Sequence, residues 1–199
     1  MLKEIKLPEP EVSGNSTIEE ILAKRRSVRS YSDTTLSLKD MSQLLWAAQG
    51  VTSDIGFRTA PSAGALYPLE VYLVAGNVDG LNSGVYQYLP DSHSVVPIIE
   101  GDIREEMSSA ALSQLHIRDC AASIVFAANH LRITLKYGER GIRYVNIEIG
   151  HAAQNVCLQG VALGIGTCAV GAFDDEKIGQ VLNLPDGERA LYMLSLGYV

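Results

Sequence analysis

The sequence predicts an α+β fold, and three observations carry that prediction. Three β-patterned segments crowd between residues 70 and 99. A helical pattern, apolar on more than one face, runs from Arg140 to Leu163. A last strand pattern, "ALYMLSLGYV", closes the chain. No internal repeat, linker or composition shift divides the 199 residues, a length that suits one domain with a sizeable core. Residues 1–199 therefore read as a single domain, with residues 1–15 as an extended arm.

Taken in order, Ser16 opens S-x-x-E (Ser16 to Glu19), a capping-box start for a helix through "TIEEILAKRR". The polar "SVRSYSDTT" breaks it. A second helix begins near Ser37 and carries Leu38, Met41, Leu44, Leu45 and Ala48 on one face, with Gly50 at the position of a glycine cap. The segments "EVYLVAG" (70–76), "GVYQYLP" (84–90) and "SVVPII" (94–99) are joined by short turns, which predicts an antiparallel meander. A helix over 102–115 and a buried strand, "ASIVFAAN" (122–129), follow. In the long helix, Gly150, Ala152, Ala153 and Gly160 permit close packing. A helix apolar most of the way round is central or packs on another subunit. A glycine-rich segment (164–171), a short helix near 174–182 and the closing strand complete the chain.

Composition excludes several classes. A formal charge of −7 argues against a nucleic-acid partner, since phosphate binding needs a basic face. No apolar run is long enough to span a bilayer, and the N-terminus "MLKEIKLPEPEVSGNS" lacks the pattern of a signal peptide, so a cytoplasmic protein without a membrane partner is expected. Cys120, Cys157 and Cys168 lack C-x-x-C spacing, which predicts buried reduced thiols and neither a disulfide framework nor a metal site. There is no H-E-x-x-H, no G-x-S-x-G and no paired-carboxylate signature.

Four segments are candidate sites. "KRRSVRSY" (24–31) gathers three arginines and a serine, suited to phosphate or carbonyl-rich rings. In isolation it reads as favourable charge at a helix C-terminus. "RTAPSAGALYP" (58–68) offers small side chains that let a backbone approach something large, or simply a tight loop before a strand. "LGIGTCAVGAFDD" (163–175) has neither Rossmann nor P-loop spacing, but its backbone N–H groups can face a ligand. "RITLKYGERGIRY" (132–144) sets Arg132, Lys136, Arg140 and Arg143 at roughly helical spacing, ordinarily a solvated face and otherwise a seat for an anionic substrate. His151, inside the apolar helix, reads as a hydrogen-bonded core histidine.

The order of these segments carries more than any one of them. "RRSVR", "LLWAAQG", "APSAGALYP", "KYGERGIRY", "GHAAQN" and "GIGTCAVGAFDD" together resemble the FMN-dependent nitroreductase family, nearest its branch of peptide azoline dehydrogenases, from about Thr17 to the C-terminus. The resemblance implies a mixed, largely antiparallel sheet flanked by helices, in a homodimer with FMN at the subunit interface. It places Arg25 and Ser27 at the FMN phosphate and ribityl chain, and Arg29 beside N1 and the C2 carbonyl. Pro61, Ser62, Ala63 and Gly64 match the segment the partner subunit lays near the flavin. Val170 and Gly171 match the turn whose N–H faces N5, and Glu148 a position beside the pyrimidine edge. Lys136 and Tyr137 match the Lys-Tyr pair that the azoline branch uses near its substrate.

The implied activity is FMN-dependent hydride transfer from NADH or NADPH, by ping-pong turnover, to a small acceptor such as a nitro compound or quinone. Two alternatives are an azoline dehydrogenase acting on a modified peptide and a non-catalytic flavin-binding dimer. Many family members carry basic residues for the phosphate beyond the last strand. Here none follows Arg189, so phosphate binding is expected to lean on Arg25, with Arg26.

Overall fold

Residues 3–199 are described by a computed structural model. Seven strands run in chain order: β1 (Ile5–Lys6), β2 (Leu69–Ala75), β3 (Gly84–Leu89), β4 (Ser94–Glu100), β5 (Ala122–Asn129), β6 (Ile165–Val170) and β7 (Glu188–Tyr198). They form one sheet in the order β1-β4-β3-β2-β5-β7-β6. Every ladder in it is antiparallel, and among the described residues parallel pairing survives only as isolated bridges, Ser27 to Thr167 and Leu36 to Val78. The expected meander is β2-β3-β4. The helices are α1 (Ile18–Lys24), α2 (Leu38–Gln49), α3 (Arg104–Ala110), α4 (Leu115–Arg118), α5 (Leu131–Tyr137), α6 (Arg140–Leu163) and α7 (Asp175–Val181).

Both faces of the central strands are buried, which explains their near-continuous apolar runs. On one face Val71, Leu73, Ile124 and Phe126 pack with Leu44 and Leu45 of α2 and with Val145, Ile149 and Val156 of α6. On the other, Tyr72, Val74, Val125 and Ala127 meet Met107, Ile117 and Ile178 from α3, α4 and α7. Side chains such as Phe126 and Leu73, fully buried, each contribute roughly 1.5–3 kcal/mol of transfer free energy.

Helix α6 is the spine that positions the site. Its inward stripe runs Val145, Glu148, Ile149, Ala152, Ala153, Val156, Cys157 and Gly160, while Ile147 on the other side is 49% exposed and Ile142, in the first turn, is 46% exposed. Gly160 is required by close approach, since a Cβ there would lie 2.8 Å from Thr167 Cγ2. Gly164, at φ 72°, ends the helix in the left-handed conformation.

Several local expectations are corrected. The capping box of α1 sits one residue later, in the T-x-x-E register that "STIEE" also contains: Thr17 Oγ1 accepts from Glu20 N–H at 3.3 Å, and Thr17 N–H donates to Glu20 Oε2 at 3.4 Å. The helix ends at Lys24, short of the two arginines expected within it. Gly50 caps α2 with an extended backbone, φ −63° and ψ 144°, so glycine serves there because a Cβ would strike the Trp46 indole. The helix expected over 102–115 breaks after Ala110, where Leu112 and Ser113 take positive φ and Ser108 Oγ donates to the Gln114 carbonyl. The glycine-rich segment is strand β6, because its Thr-Cys-Ala-Val run pairs with β7. His151 is exposed on α6 instead of buried in the core. The three cysteines are buried and unbridged, and burial pushes their thiols up.

Candidate functional site

The arginine segment is seated on a pair of glycines. Gly166 of β6 and Gly197 of β7 are register partners across the ladder. A Cβ at Gly166 would lie 2.8 Å from Val28 Cγ1, and one at Gly197 would lie 2.8 Å from Tyr31 Cβ. Their bareness creates a flat patch on which Val28 and Tyr31 rest. Val28 N–H donates to the Thr167 carbonyl at 2.9 Å. The Tyr31 hydroxyl donates to the Val28 carbonyl at 2.8 Å and lies 2.7 Å from Ser195 Oγ, which is also 2.9 Å from His116 Nδ1. Burial, with the nearby Arg29 cation, holds His116 below its ordinary value.

This rail fixes Ser27 and Arg29 at the end of the sheet. Arg29's charge reaches Cys168, two residues before Val170, and Gly171 opens the exposed turn beyond. Arg25 closes α1 and its charge reaches Cys157 of α6. Arg26 Nη1 folds back onto the carbonyls of Ala23 and Arg25, at 3.0 and 2.7 Å, which is the helix-end role read for this cluster in isolation. Among the described residues none of Arg25, Arg26 and Arg29 has an ion-pair partner.

A second group gathers around residues 61–67, where a 3₁₀ turn (Ala63–Ala65) carries the chain. Gly64, Ala65 and Tyr67 all have positive φ, 64°, 54° and 45°, and for alanine and tyrosine that conformation is costly. The strain is held by specific bonds. Ser62 Oγ accepts from Tyr67 N–H at 2.9 Å, and the Tyr67 hydroxyl accepts from Arg58 N–H at 3.2 Å. The Arg58 guanidinium lies over the Tyr67 ring at 4.5 Å. Arg132, paired with Glu70, donates to the Tyr67 carbonyl at 3.3 Å.

Gly64 faces Lys136 and Tyr137 at the end of α5; a Cβ there would fall 2.7 Å from Tyr137 Oη and 2.9 Å from Lys136 Nζ. Tyr144 of α6 holds the Tyr137 ring edge-on at 5.2 Å. A depression of about 400 Å³ over Pro61, Ser62, Ala65 and Tyr67 is continued by Phe57.

Beneath this segment lies Glu148, 2% exposed, with neither carboxylate oxygen hydrogen-bonded. Burial raises its carboxyl to about 7, opposed by Ser62, Arg58 and Gln49. Those neighbours stand near it without hydrogen-bond geometry, so burial dominates. The run over 132–143 is the solvated face read for it, though not a stripe on one helix. Gly138 separates α5 from α6, Arg132 is spent on Glu70, and Lys136, Arg140 and Arg143 are exposed.

The structure thus assembles two groups in one chain. Pro61 to Gly64, Lys136, Tyr137 and Glu148 come together; Arg25, Ser27 and Arg29 lie elsewhere, beside Cys157, Thr167 and Cys168, on the strand that ends at Val170 with Gly171 after it. Glu148 and Cys157, which mark the two groups on α6, are nine residues apart, about 13 Å along a helix. Sequence reasoning missed Gln49, Arg58, Tyr67, Tyr31, His116 and Ser195. Arg58 and Tyr67 flank the small-residue run and were legible as its anchors; the buried trio of Tyr31, His116 and Ser195 joins three distant segments and left no local signal.

An α+β chain with an antiparallel sheet thus carries an arginine segment along its last strands and a strained small-residue loop. The family model for the nitroreductase family matches residues 22–198, and this chain belongs to that family. A Methanocaldococcus jannaschii protein named "Putative nitroreductase" is 46% identical over 183 residues, 92% of this chain and 91% of that protein. The Microcin B17-processing protein McbC of Escherichia coli is 28% identical over 137 residues, covering 64% of this chain and 48% of its own. The FMN reductase (NADPH) of Bacillus subtilis is 24% identical over 198 residues, 92% of this chain and 66% of that one. A solved structure from Ralstonia eutropha, also called a "putative nitroreductase", superposes with a TM-score of 0.86 at 26% identity, covering 98% of this chain and 89% of that one.

Proposed function

We propose that this chain is an FMN-dependent oxidoreductase acting as a homodimer, with NADH or NADPH as donor and a small nitro compound or quinone as acceptor. Residues 1–199 would form one unit of this kind, with 1–15 as its arm. The observation that carries the reading is the divided site. Each chain holds one basic rail and one small-residue loop, set about 13 Å apart along α6. A two-fold pair brings the loop of one copy to the rail of the other.

Helix α1 supports such pairing: it has no buried residue, and its Ile18 and Leu22 are 52% and 54% exposed. The exposed Ile142 and Ile147 of α6 add to the uncovered apolar surface.

The residues fit FMN. Unpaired cations at Arg25 and Arg29 suit a phosphate and an electron-rich ring edge. Ser27 offers a hydroxyl, and the small side chains of residues 61–65 leave backbone that a flat ring can approach. Arg25 and Ser27 would hold the phosphate and ribityl chain, Arg29 the N1 and C2=O edge, and Pro61 to Gly64 of the second copy the ring. The backbone at Val170 and Gly171 would orient N5. When bound, FMN supplies the hydride relay between nicotinamide and acceptor. A fixed Arg29 cation favours the electron-rich reduced form by roughly 1.5–3 kcal/mol, the worth of a charge-assisted hydrogen bond.

The test is a visible spectrum of the purified protein before and after NADH or NADPH. Bleaching of a yellow protein is expected, and Arg29→Ala should lower its reduction potential. A protein that stays colourless after reconstitution with FMN sinks the cofactor assignment, and bound flavin that both donors leave oxidised supports a non-catalytic dimer.

A second reading, oxidation of thiazoline or oxazoline rings in a peptide, draws on the convergence of Lys136 Nζ and Tyr137 Oη at Gly64 and on the likeness to McbC. Flavin reduction by an azoline peptide, abolished in Tyr137→Phe, would favour it over reduction of a small acceptor.

A further inference from the structure

Among the described residues, four buried polar atoms around the 61–67 segment lack partners: both oxygens of Glu148, Gln49 Nε2 and Arg58 Nε. Two are acceptors and two are donors, and they occupy one neighbourhood. Gln49 and Ser62 stand beside the Glu148 carboxyl, and the Arg58 charge reaches it. Gln49 and Arg58 instead bond each other, Arg58 Nη1 donating to Gln49 Oε1 at 3.2 Å. Buried groups left unpaired together are costly, and four complementary ones can close on one another.

We propose that Glu148 is a positioning residue for the 61–67 segment, a two-state latch. Carrying its proton, it leaves Arg58 over Tyr67; as a carboxylate it takes the unused donors of Gln49 and Arg58 and draws the segment inward. The geometry gives the latch its lever. Arg58 holds Tyr67 through both its backbone N–H and its guanidinium, and Tyr67 N–H is tied to Ser62 Oγ, so a movement of Arg58 reaches Ser62 through two bonds. Arg58 is the charged group facing Glu148; Gln49 from α2 and Ser62 from the loop are neutral. A carboxyl at about 7 would change state near neutral pH. The consequence for turnover rests on the flavin-facing role proposed for residues 61–64, whereas the latch itself does not.

Trp46 is the only tryptophan and sits three residues before Gln49, its carbonyl accepting from Thr59 Oγ1 at 3.1 Å. Its emission therefore reads the joint between α2 and the loop in flavin-free protein. A titration from about pH 5 to about 9 should show a midpoint near the carboxyl's own, absent from Glu148→Gln. Carboxyl-¹³C glutamate NMR of the unmodified chain gives the second reading, the Glu148 resonance being the one Glu148→Gln removes. A midpoint kept in Glu148→Gln, or a Glu148 carboxyl titrating below about 5, an ordinary carboxylate, overturns the proposal.

With FMN bound, the pH profile of flavin reduction should share the midpoint and lose it in Glu148→Gln; an unchanged profile refutes the positioning role. Protein that takes up no flavin fails the function proposed above, while fluorescence and NMR still decide the latch.

Discussion

Alanine at Gly64 separates the backbone demand of the small-residue loop from its chemistry. At φ 64° an alanine carries a left-handed cost of about 1–2 kcal/mol. Its Cβ would also fall 2.7 Å from Tyr137 Oη and 2.9 Å from Lys136 Nζ. Both atoms end flexible side chains, so they swing away and the backbone stays. Thermal unfolding should therefore fall by only about 2–8 °C in a chain of this size, whereas the proposed flavin reduction by an azoline peptide should be lost, because the Lys-Tyr pair is displaced. Adding Tyr137→Phe removes the nearest atom, so the double variant should recover part of the stability, a coupling of about 0.5 kcal/mol or more. A melting point unmoved by Gly64→Ala, or additive effects in the double variant, would refute the geometry assigned to this loop.

Three further outcomes follow from specific bonds and charges. Ser195→Ala strips partners from the Tyr31 hydroxyl and His116 Nδ1, and should cost about 1–3 kcal/mol in urea unfolding while weakening the flavin binding proposed for the Arg29 rail. Glu148→Gln should flatten the pH dependence of stability. With the folded carboxyl at about 7 against an ordinary 4.5, the folded chain holds the proton longer than the unfolded one. This contribution is complete below the ordinary value and is lost as pH rises through the folded one, by up to about 3 kcal/mol. Urea midpoints at about pH 5 and about pH 8 should therefore diverge between the two proteins, and a constant difference would contradict it. Arg58→Lys keeps the charge but loses the planar guanidinium over Tyr67, and should loosen the loop by about 0.5–1 kcal/mol, read as a lower melting point.

The fold was legible because its central strands are buried on both faces and α6 is long and periodic, patterns that burial alone dictates. Boundaries set by single contacts were not. Nothing local separates Ser16 from Thr17 as a cap, since both stand three residues before a glutamate. Gly50 and a left-handed cap look identical until the Trp46 ring is placed. His151 misled because α6 is apolar on two sides, and its side falls on the uncovered one. For the site, residue types named the candidates, but their division into two groups is a property of α6's length and of where α5 ends. The seat of the arginine rail depends on Gly166 and Gly197 meeting across a ladder, a pairing between residues far apart in sequence.

Gly150 offers the sharpest test of the pairing on which the divided site depends. In one chain a Cβ at Gly150 meets nothing within 4 Å, and exposed glycine inside a helix is worth about 0.5–1 kcal/mol less than alanine. Gly150→Ala should therefore stabilise an isolated chain. Ile147 lies three residues earlier, on the same side of α6. If a second copy covers that side, the added methyl group occupies space the partner's backbone needs. The expected result is a dimer that dissociates at higher protein concentration in sedimentation, although the helix itself is improved. Gly179→Ala on α7, where a Cβ also meets nothing, is the control and should give the plain helical gain. Equal gains at 150 and 179, with an unchanged dimer constant, would remove α6 from the interface and leave the rail and the loop without the second copy that joins them.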